Sequence, residues 1–536
     1  MMTESAEASE FSVAQAKVRT SYDEVPYASY PYAQSHPCRI AATASLLGLT
    51  PRDVETASVL EIGCAAGGNL IPMAAAYPKA RFLGIDLSSK QIDQARARAK
   101  RLGLANIEFR HQDVTSFEKS DRGYDYIICH GVYSWVSDPV RDAILGLCAS
   151  TLSPDGIAYI SYNVLPGWRP RQVVRDAMLA HVADIADPAQ RLSQARAFID
   201  FLNANAPKSP YGEAIREVAS WLGSMGASYV FHEFLEIDNA PCTFKDFMKA
   251  ANRNGLVFLG ECELRSMLPE NYGAVAQTIR TLGGNDVVAA EQYIDVFSGR
   301  TFRQTLLVPA ARLPAISRNV SPDRLASLHF LSSFAAVATD DPNFPHMFKD
   351  AIGTTFKTRI DNVRRAFQLI QASQPGSSSY PQLLDQLKAG GGPLTPADQA
   401  EILKSLQTAL MIGLLTASTR PIEAGRRSVE RPVALEVARS DAVHGTSTVN
   451  LRHEPVELDV VARHLLPLLD GTNDAAALAA SLNQAVKSET IGFVREGQRV
   501  TDDAEIEACI ADHLGRVLRQ LEGQAVLLPS ETGAKA

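Results

Sequence analysis

Ser58-Val59-Leu60-Glu61-Ile62-Gly63-Cys64-Ala65-Ala66-Gly67-Gly68-Asn69 reads as a short apolar strand running into a glycine-rich turn. Asn69 to Tyr77 then has the pattern of a helix stopped by Pro78, and Ala80 to Asp86 is a second strand. Ser88 is placed to cap a helix that runs to Arg101, with Gly103 just past its end. Asn106–His111 and Tyr124–Cys129 are a third and fourth strand. Pro139–Leu152 is a helix, and Gly156–Asn163 is a fifth strand. Strands interleaved with helices imply a parallel sheet with crossovers, the doubly wound α/β class.

Outward from this core, Gln172–Ile185, Gln190–Ala204 and Tyr211–Met225 carry apolar residues at helical spacing. The strand–helix rhythm then returns. Thr243 caps a helix over Phe244–Arg253, Gly255 ends it, Leu256–Leu259 is an apolar run, and Phe302–Val308 is another strand. These read as the last helix and last two strands of the same sheet. The helices between Trp168 and Tyr229 are then an insertion over the carboxyl ends of the strands, where open α/β sheets bind ligands.

Past Leu313 the rhythm stops, with breaks at Gln374–Ser379 and Ala389–Pro393. Helical patterns are expected over Leu325–Phe334, Phe356–Ala372 and Pro396–Leu415, and later over Val460–Leu469, Ala475–Ala485 and Asp503–Leu521, with Ala525–Leu528 as a closing strand. The last block suits a winged-helix-like module. The expected plan is a lid segment over 1–55 and a Rossmann-like domain over 56–312 with a helical insertion at about 168–235. A regulatory region falls at about 222–308, a middle helical or winged-helix-like domain at 313–425, and a mostly α winged-helix-like domain at 426–536. A length of 536 residues agrees with several domains.

Composition narrows the class. The apolar fraction is 46% and the charged fraction 21%. Both are ordinary for a globular protein. A net charge of −8, with acids outnumbering bases in the last block, disfavours nucleic acid as a partner. The seven cysteines form no C-x-x-C pair and no zinc-spaced cluster, so free thiols and no metal site are expected. The first residues lack the apolar core of a secretory signal and no run spans a bilayer, so the expected location is cytoplasmic.

The chemistry lies at the strand ends. Glycines just past a strand let backbone approach a ligand, and the next helix presents free N–H groups. Asp86 closes the second strand, where its carboxylate can accept from two ribose hydroxyls. Asp113-Val114 follows the third strand, suited to an adenine amino group and ring nitrogen. His130-Gly131 follows the fourth. The turn is not the phosphate-gripping G-x-G-x-x-G, because Ala65 stands two after Gly63. Glu61 repels pyrophosphate but suits an ammonium or sulfonium, which favours S-adenosylmethionine over NAD.

In these features the chain resembles the class I S-adenosylmethionine-dependent methyltransferases over Val59–Asn163. The resemblance assigns Glu61, Gly63 and Gly67 to the methionine end of the cofactor, Asp86 to its ribose, and Asp113 and Val114 to adenine. Tyr27, Cys64, Asn69 and Leu87 complete the expected cofactor set. Tyr22–Tyr27, His36-Pro37, His130-Gly-Val-Tyr-Ser-Trp135 and Tyr162-Asn-Val-Leu-Pro-Gly-Trp168 resemble the bacterial methyltransferases with a so-called regulatory domain, which Phe231–Leu235 and Phe302–Leu307 also match. Members with winged-helix-like extensions include protein-lysine methyltransferases of outer-membrane proteins.

The expected activity is therefore methyl transfer to a protein, with lysine as acceptor. A small-molecule N-, O- or C-methyltransferase and a cofactor-binding regulator or scaffold are the alternatives, and a homodimer is left open. Aromatic faces attract cations, so Tyr30, Trp135, Tyr162 and Trp168, with His36 and Asn163, are the expected substrate-binding residues. His130 and Tyr133 are the expected catalytic pair. A lysine ammonium must lose a proton before it attacks, and His36, His130, Tyr133 or water could take it.

Overall fold

A computed structural model of the chain describes residues 29–117, 123–236, 238–391, 394–426, 430–495 and 497–529. They form two compact units. The first comprises Ser29, Thr50–Ala99 and Ala105–Ile316; the second comprises Tyr30–Leu49, Lys100–Leu104 and the chain from Ser317 onward.

The first unit is built on a seven-stranded sheet: β1 (Ser58–Ile62), β2 (Arg81–Asp86), β3 (Ile107–His111), β4 (Tyr124–Cys129), β5 (Leu152–Asn163), β6 (Leu256–Glu261) and β7 (Phe302–Pro309). Their order is β3-β2-β1-β4-β5-β7-β6. All five residues of β1 are buried, as a central strand covered on both faces requires. Strands β1 to β5 pair in parallel, whereas β7 lies antiparallel between β5 and β6. On one face Leu60, Ile127, Ile144, Leu145, Ile160, Phe244 and Leu307 share one apolar core. The helices Leu70–Ala76, Ser89–Arg101, Asp138–Thr151 and Phe244–Arg253 agree with the sequence reading. Ser88 and Thr243 cap two of them. Their hydroxyls accept the Gln91 N–H at 3.3 Å and the Asp246 N–H at 3.1 Å.

The insertion follows β5. Its helices, Arg169–His181, Pro188–Asn205, Pro210–Gly223 and Ala227–Phe234, surround their own apolar cluster, which includes Val174, Met178, Ile199, Leu222, Phe231 and Phe234. Asp187 and Ser209 cap the second and third, each followed by a proline in the first helical turn.

In the second unit several sequence expectations give way. Leu325–Phe334 is a one-turn helix, Pro322–Ala326, followed by strand β8 (His329–Ser332). A second three-stranded sheet holds β9 (Ala335–Val337), β10 (His346–Lys349) and β11 (Thr355–Thr358). Thus Phe356–Ala372 begins in β11 and becomes helical only at Asp361. Residues 396–415 split into the helix Pro396–Met411 and a strand beginning at Leu415. With β12 (Ser378–Ser379) and β13 (Leu415–Ser418), β8 forms an antiparallel sheet of order β12-β8-β13. Short apolar runs fit either period, and here distant strand partners choose. Residues 30–49, expected as part of a lid, belong to this unit: Arg324 donates to the carbonyls of Ser45 at 2.9 Å and Leu49 at 2.7 Å, and Thr419 N–H donates to Cys38 O at 3.2 Å. The last block packs Glu436–His444, Val460–Leu465, Ala475–Lys487 and Asp503–Gly523 around Leu465, Leu482, Val517 and Leu521. An Ala434–Leu527 bridge and two short hairpins complete a winged-helix fold.

Strands β6 and β7 and the helix Val287–Ser298 are tied by a buried ion cluster. The Arg303 side chain, fully shielded, meets Glu261 at 2.6 Å, Glu291 at 3.0 Å and Asp295 at 2.9 Å. Arg300 lies 3.4 Å from both Glu291 and Asp295. Burial pushes the Asp295 carboxyl up to about 6 against the pull of Arg303. Removing one partner from such a cluster strands charge in the interior. Arg303→Met is therefore expected to cost about 3–5 kcal/mol of stability. Denaturant unfolding reads it, and a change below about 1 kcal/mol would show the cluster to be dispensable.

Candidate cofactor and acceptor site

Strand β1 delivers its last residues into a turn whose backbone is unusual in two places. Gly63 has φ of 73°, and a Cβ there would lie 2.4 Å from a Val132 methyl. This position requires glycine. Ala65 also takes a left-handed φ, of 47°. That conformation costs a residue with a Cβ roughly 1–2 kcal/mol. Asp86 holds it there: its Oδ2 accepts the Ala65 N–H at 2.9 Å. Asp86 Oδ1 accepts the Ser88 N–H at 2.8 Å, so one carboxylate organises the turn after β1 and the entry to the helix after β2. Each carboxylate oxygen keeps a second lone pair for a hydroxyl donor. Burial raises the Asp86 carboxyl above its ordinary range, opposed by these backbone donors.

The turn is latched from outside by Ser29, whose hydroxyl accepts the Gly68 N–H at 2.7 Å. A Cβ at Gly68 would sit 2.1 Å from the Ser29 carbonyl oxygen, so the two backbones touch only because residue 68 is glycine. The Ser29 latch had no signal in the sequence, because nothing local ties it to a turn 39 residues away.

Glu61, on β1, is 3% exposed. Its Oε1 accepts from Asn69 Nδ2 at 2.7 Å, while its Oε2 is buried without a hydrogen-bond partner among the described residues. Burial, reinforced by the Asp86 charge and opposed by Asn69, pushes its carboxyl up to about 8. A buried acid with one oxygen unclaimed suits a cationic group brought by a ligand. Cys64 is buried beside it, its thiol pushed well above its usual range by burial and the nearby carboxylates.

At the edge of the sheet, Asp113 caps a short turn through Thr115 N–H at 2.8 Å, and Val114 follows half-buried. Leu87 O is bridged by His111 Nε2 at 3.0 Å. Glu61, Asp86 and Asp113 thus stand at the carboxyl ends of three adjacent strands, in the order that the methionine, ribose and adenine groups of S-adenosylmethionine would need.

Beyond β4 and β5 the expected acceptor residues separate. His130 Nδ1 lies 2.9 Å from the Tyr159 hydroxyl, and burial pushes its imidazole down to about 3. Tyr133 and Tyr162 pack instead into the apolar core with Phe247, at ring distances of 5.2 and 4.1 Å. The Tyr162 hydroxyl lies 3.1 Å from Thr305 Oγ1, at the ion cluster. Burial raises the Tyr133 hydroxyl well above the usual range, and Arg141 sits over its ring at 5.3 Å. Trp135 is buried in a short turn, its N–H bonded to Val132 O at 2.8 Å. Asn163 and Trp168 are both buried at the end of β5 and the entry to the insertion. Tyr30 and His36 belong to the second unit, where His36 caps the helix Pro37–Leu46 and its ring lies 5.0 Å from that of His453. Tyr27 lies outside the described residues.

A seven-stranded sheet of this order, with an acid-ended glycine turn in place of a phosphate loop, defines a class I S-adenosylmethionine-dependent methyltransferase. Comparison with known proteins agrees. Residues 59–156 match the family described as "Methyltransferase domain", 226–309 the "Predicted methyltransferase regulatory domain", and 430–526 the "PKMT, C-terminal winged helix domain". An uncharacterized protein of Rickettsia prowazekii is 33% identical over 514 residues, 90% of this chain and 89% of its own. PKMT2 from Rickettsia typhi, solved also in complex with AdoHcy, is 27% identical with a TM-score of 0.83, covering 94% of this chain and 100% of its own. The chain belongs to this family of S-adenosylmethionine-dependent methyltransferases with a regulatory domain and a C-terminal winged helix.

The Glu61 carboxyl gives a pH signature. Its folded value of about 8 lies above the ordinary 4.5. The folded apoprotein therefore binds a proton that the unfolded chain releases earlier. The contribution of Glu61 to stability falls as pH rises from 4.5 to about 8. A cationic ligand reverses this by favouring the carboxylate. Cofactor affinity is expected to rise with pH up to about 8, with proton release on binding. The slope is as much as about tenfold per pH unit. Glu61→Gln should flatten that profile and weaken binding at least about tenfold. Calorimetry in buffers of different ionisation enthalpy reads both, and an unchanged pH profile in the variant would remove Glu61 from the cofactor's cationic end.

Proposed function

We propose that this methyltransferase modifies lysine side chains of a protein. The observation that carries this reading is the likeness to PKMT2 of Rickettsia typhi along 94% of the chain, winged helix included, rather than over the catalytic sheet alone. The helical insertion that follows the carboxyl end of β5 supports it, since a small acceptor needs no such addition.

S-adenosylmethionine supplies the methyl group as a sulfonium. In this reading Glu61 takes its ammonium end, Asp86 the ribose hydroxyls, and Asp113 with the Val114 backbone the adenine. The chain's remaining work is positional: align the amine with the S–CH₃ bond and keep its lone pair free. His130, held neutral by burial, is a weak proton acceptor against an amine whose ordinary value is about 10.4. It serves better to orient an N–H through its contact with Tyr159. Tyr133, with a raised hydroxyl, can donate but does not ionise to accept. The proton of the lysine ammonium therefore leaves to water before transfer.

Incubation with labelled S-adenosylmethionine and a cell-envelope extract, followed by acid hydrolysis, should yield methylated lysine. Label recovered only in small molecules would overturn the lysine reading. Asp86→Ala should weaken cofactor binding at least about tenfold, because two ribose hydroxyls lose a charged partner. The Ala65 turn loses its anchor as well. Unchanged affinity by titration would remove Asp86 from the site. Trp135→Ala should lower turnover while affinity for the cofactor holds. A large fall in melting temperature, worth about 3–5 kcal/mol, with normal turnover per folded molecule, would make Trp135 a core residue instead.

A further inference from the structure

A buried polar atom without a partner is uncommon in a native protein and asks for an explanation, a ligand among them. Four such atoms belong to residues at the carboxyl end of β5, at the entry to the insertion and on the segment that returns beside them. They are the carboxamide nitrogen of Asn163, the indole nitrogen of Trp168, and both carboxamide atoms of Asn239, none of which has a hydrogen-bond partner among the described residues. Asn163 is 3% exposed and Trp168 1%.

Ser134 joins the two segments. Its hydroxyl accepts the Asn163 N–H at 2.8 Å, and its carbonyl accepts the Ala240 N–H at 2.9 Å. Past Ala240 the chain runs beside the end of β5: Cys242 N–H donates to Asn163 O at 3.3 Å, Leu165 N–H donates to Cys242 O at 3.0 Å, and Val164 pairs with Cys242 in parallel. Arg141 fixes the same corner, donating to Tyr133 O at 2.8 Å and to the Ala240 carbonyl. The backbone here is well engaged, while these atoms of the Asn163 and Asn239 side chains are not.

The unclaimed atoms amount to three nitrogen donors and one oxygen acceptor. An ammonium has no acceptor to offer them, and an aliphatic arm has neither group. A peptide unit presents a carbonyl and an N–H in one plane, which a carboxamide matches edge to edge. We propose that Asn239 and Asn163, with the Trp168 indole, form a peptide-amide subsite that holds the main chain flanking the lysine to be methylated. The proposal rests on the lysine reading above. It makes Asn239 a specificity residue, because a site built to pair an amide discriminates strongly against a substrate that lacks one.

The full-length enzyme is assayed with labelled S-adenosylmethionine on N-acetyl-lysine N′-methylamide, which carries two amides, on butylamine, which carries none, and on cell-envelope protein. The diamide should be the better small acceptor. Asn239→Leu should raise KM for the diamide and for envelope protein at least about tenfold, leaving butylamine methylation and cofactor affinity unchanged. Because the Asn239 carboxamide has no hydrogen-bond partner among the described residues, Asn239→Leu should also raise the melting temperature, by about 2–4 °C. Asn163→Ala, on the facing segment, should likewise raise KM for the diamide and for envelope protein. Equal effects on diamide and butylamine, or a lower melting temperature with unchanged KM, would overturn the subsite and leave the carboxamides to water or to packing. A wild-type enzyme that labels none of the lysine acceptors overturns the lysine reading itself and the subsite with it. One that labels them while both variants behave as wild type overturns the subsite alone.

Discussion

The carboxylate of Asp86 receives the N–H of Ala65 from one side and the N–H of Ser88 from the other. Those two hydrogen bonds couple the end of β1 to the end of β2. They hold Ala65 in a left-handed conformation that an alanine adopts at a cost, and they start the helix after β2. With the turn held in this way, Gly63 and Gly68 can bring backbone against Val132 and Ser29. The turn that would present a cofactor depends on this link, since the strands alone set only a direction.

Charge burial is handled in two opposite ways within the same unit. Around Arg303 every carboxylate has an arginine partner, and the cluster secures β6 and β7 with the helix between them. At Glu61 the burial is equally deep, yet the hydrogen-bond partner is a neutral carboxamide and one oxygen is unclaimed among the described residues. The first arrangement is complete in the protein by itself. The second becomes favourable only when a cation arrives, so a cationic cofactor would complete an electrostatic balance that folding leaves open.

The same contrast separates the aromatic residues at the strand ends. Tyr133, in the short turn after β4, and Tyr162, on β5, both meet Phe247, and their rings complete the core. His130 reaches Tyr159, which stands on the other face of β5. Tyr159 and Tyr162 lie an odd number of residues apart on β5 and so on opposite faces. Past β4 the chain turns at Gly131 into the short helix Tyr133–Trp135, so neighbours in the motif from His130 to Trp135 need not share a task. The insertion that begins at Trp168 and the return of the chain at Asn239–Cys242 then bring a second set of side chains to the edge, through Ser134.

The sequence by itself determined what depends on near neighbours. The β1 strand and its turn, the caps at Ser88 and Thr243, the acids at the strand ends and the switch from strand rhythm to helices were legible, because each is set within a few residues by burial pattern or backbone hydrogen bonding. The insertion after β5 and the winged-helix end followed from the same local signals. Tertiary structure alone decided the rest. The antiparallel entry of β7 between β5 and β6, and strands β8 and β13 inside stretches with helical spacing, depend on partners far away in the chain, while β11 depends on β10, just outside the stretch with helical spacing. The membership of residues 30–49 in the second unit, the latch of Ser29 on Gly68 and the carboxamide of Asn239, without a partner among the described residues, belong with them. A hydrogen bond or a desolvated oxygen is a property of two segments meeting, and no window of sequence that holds only one of them contains it.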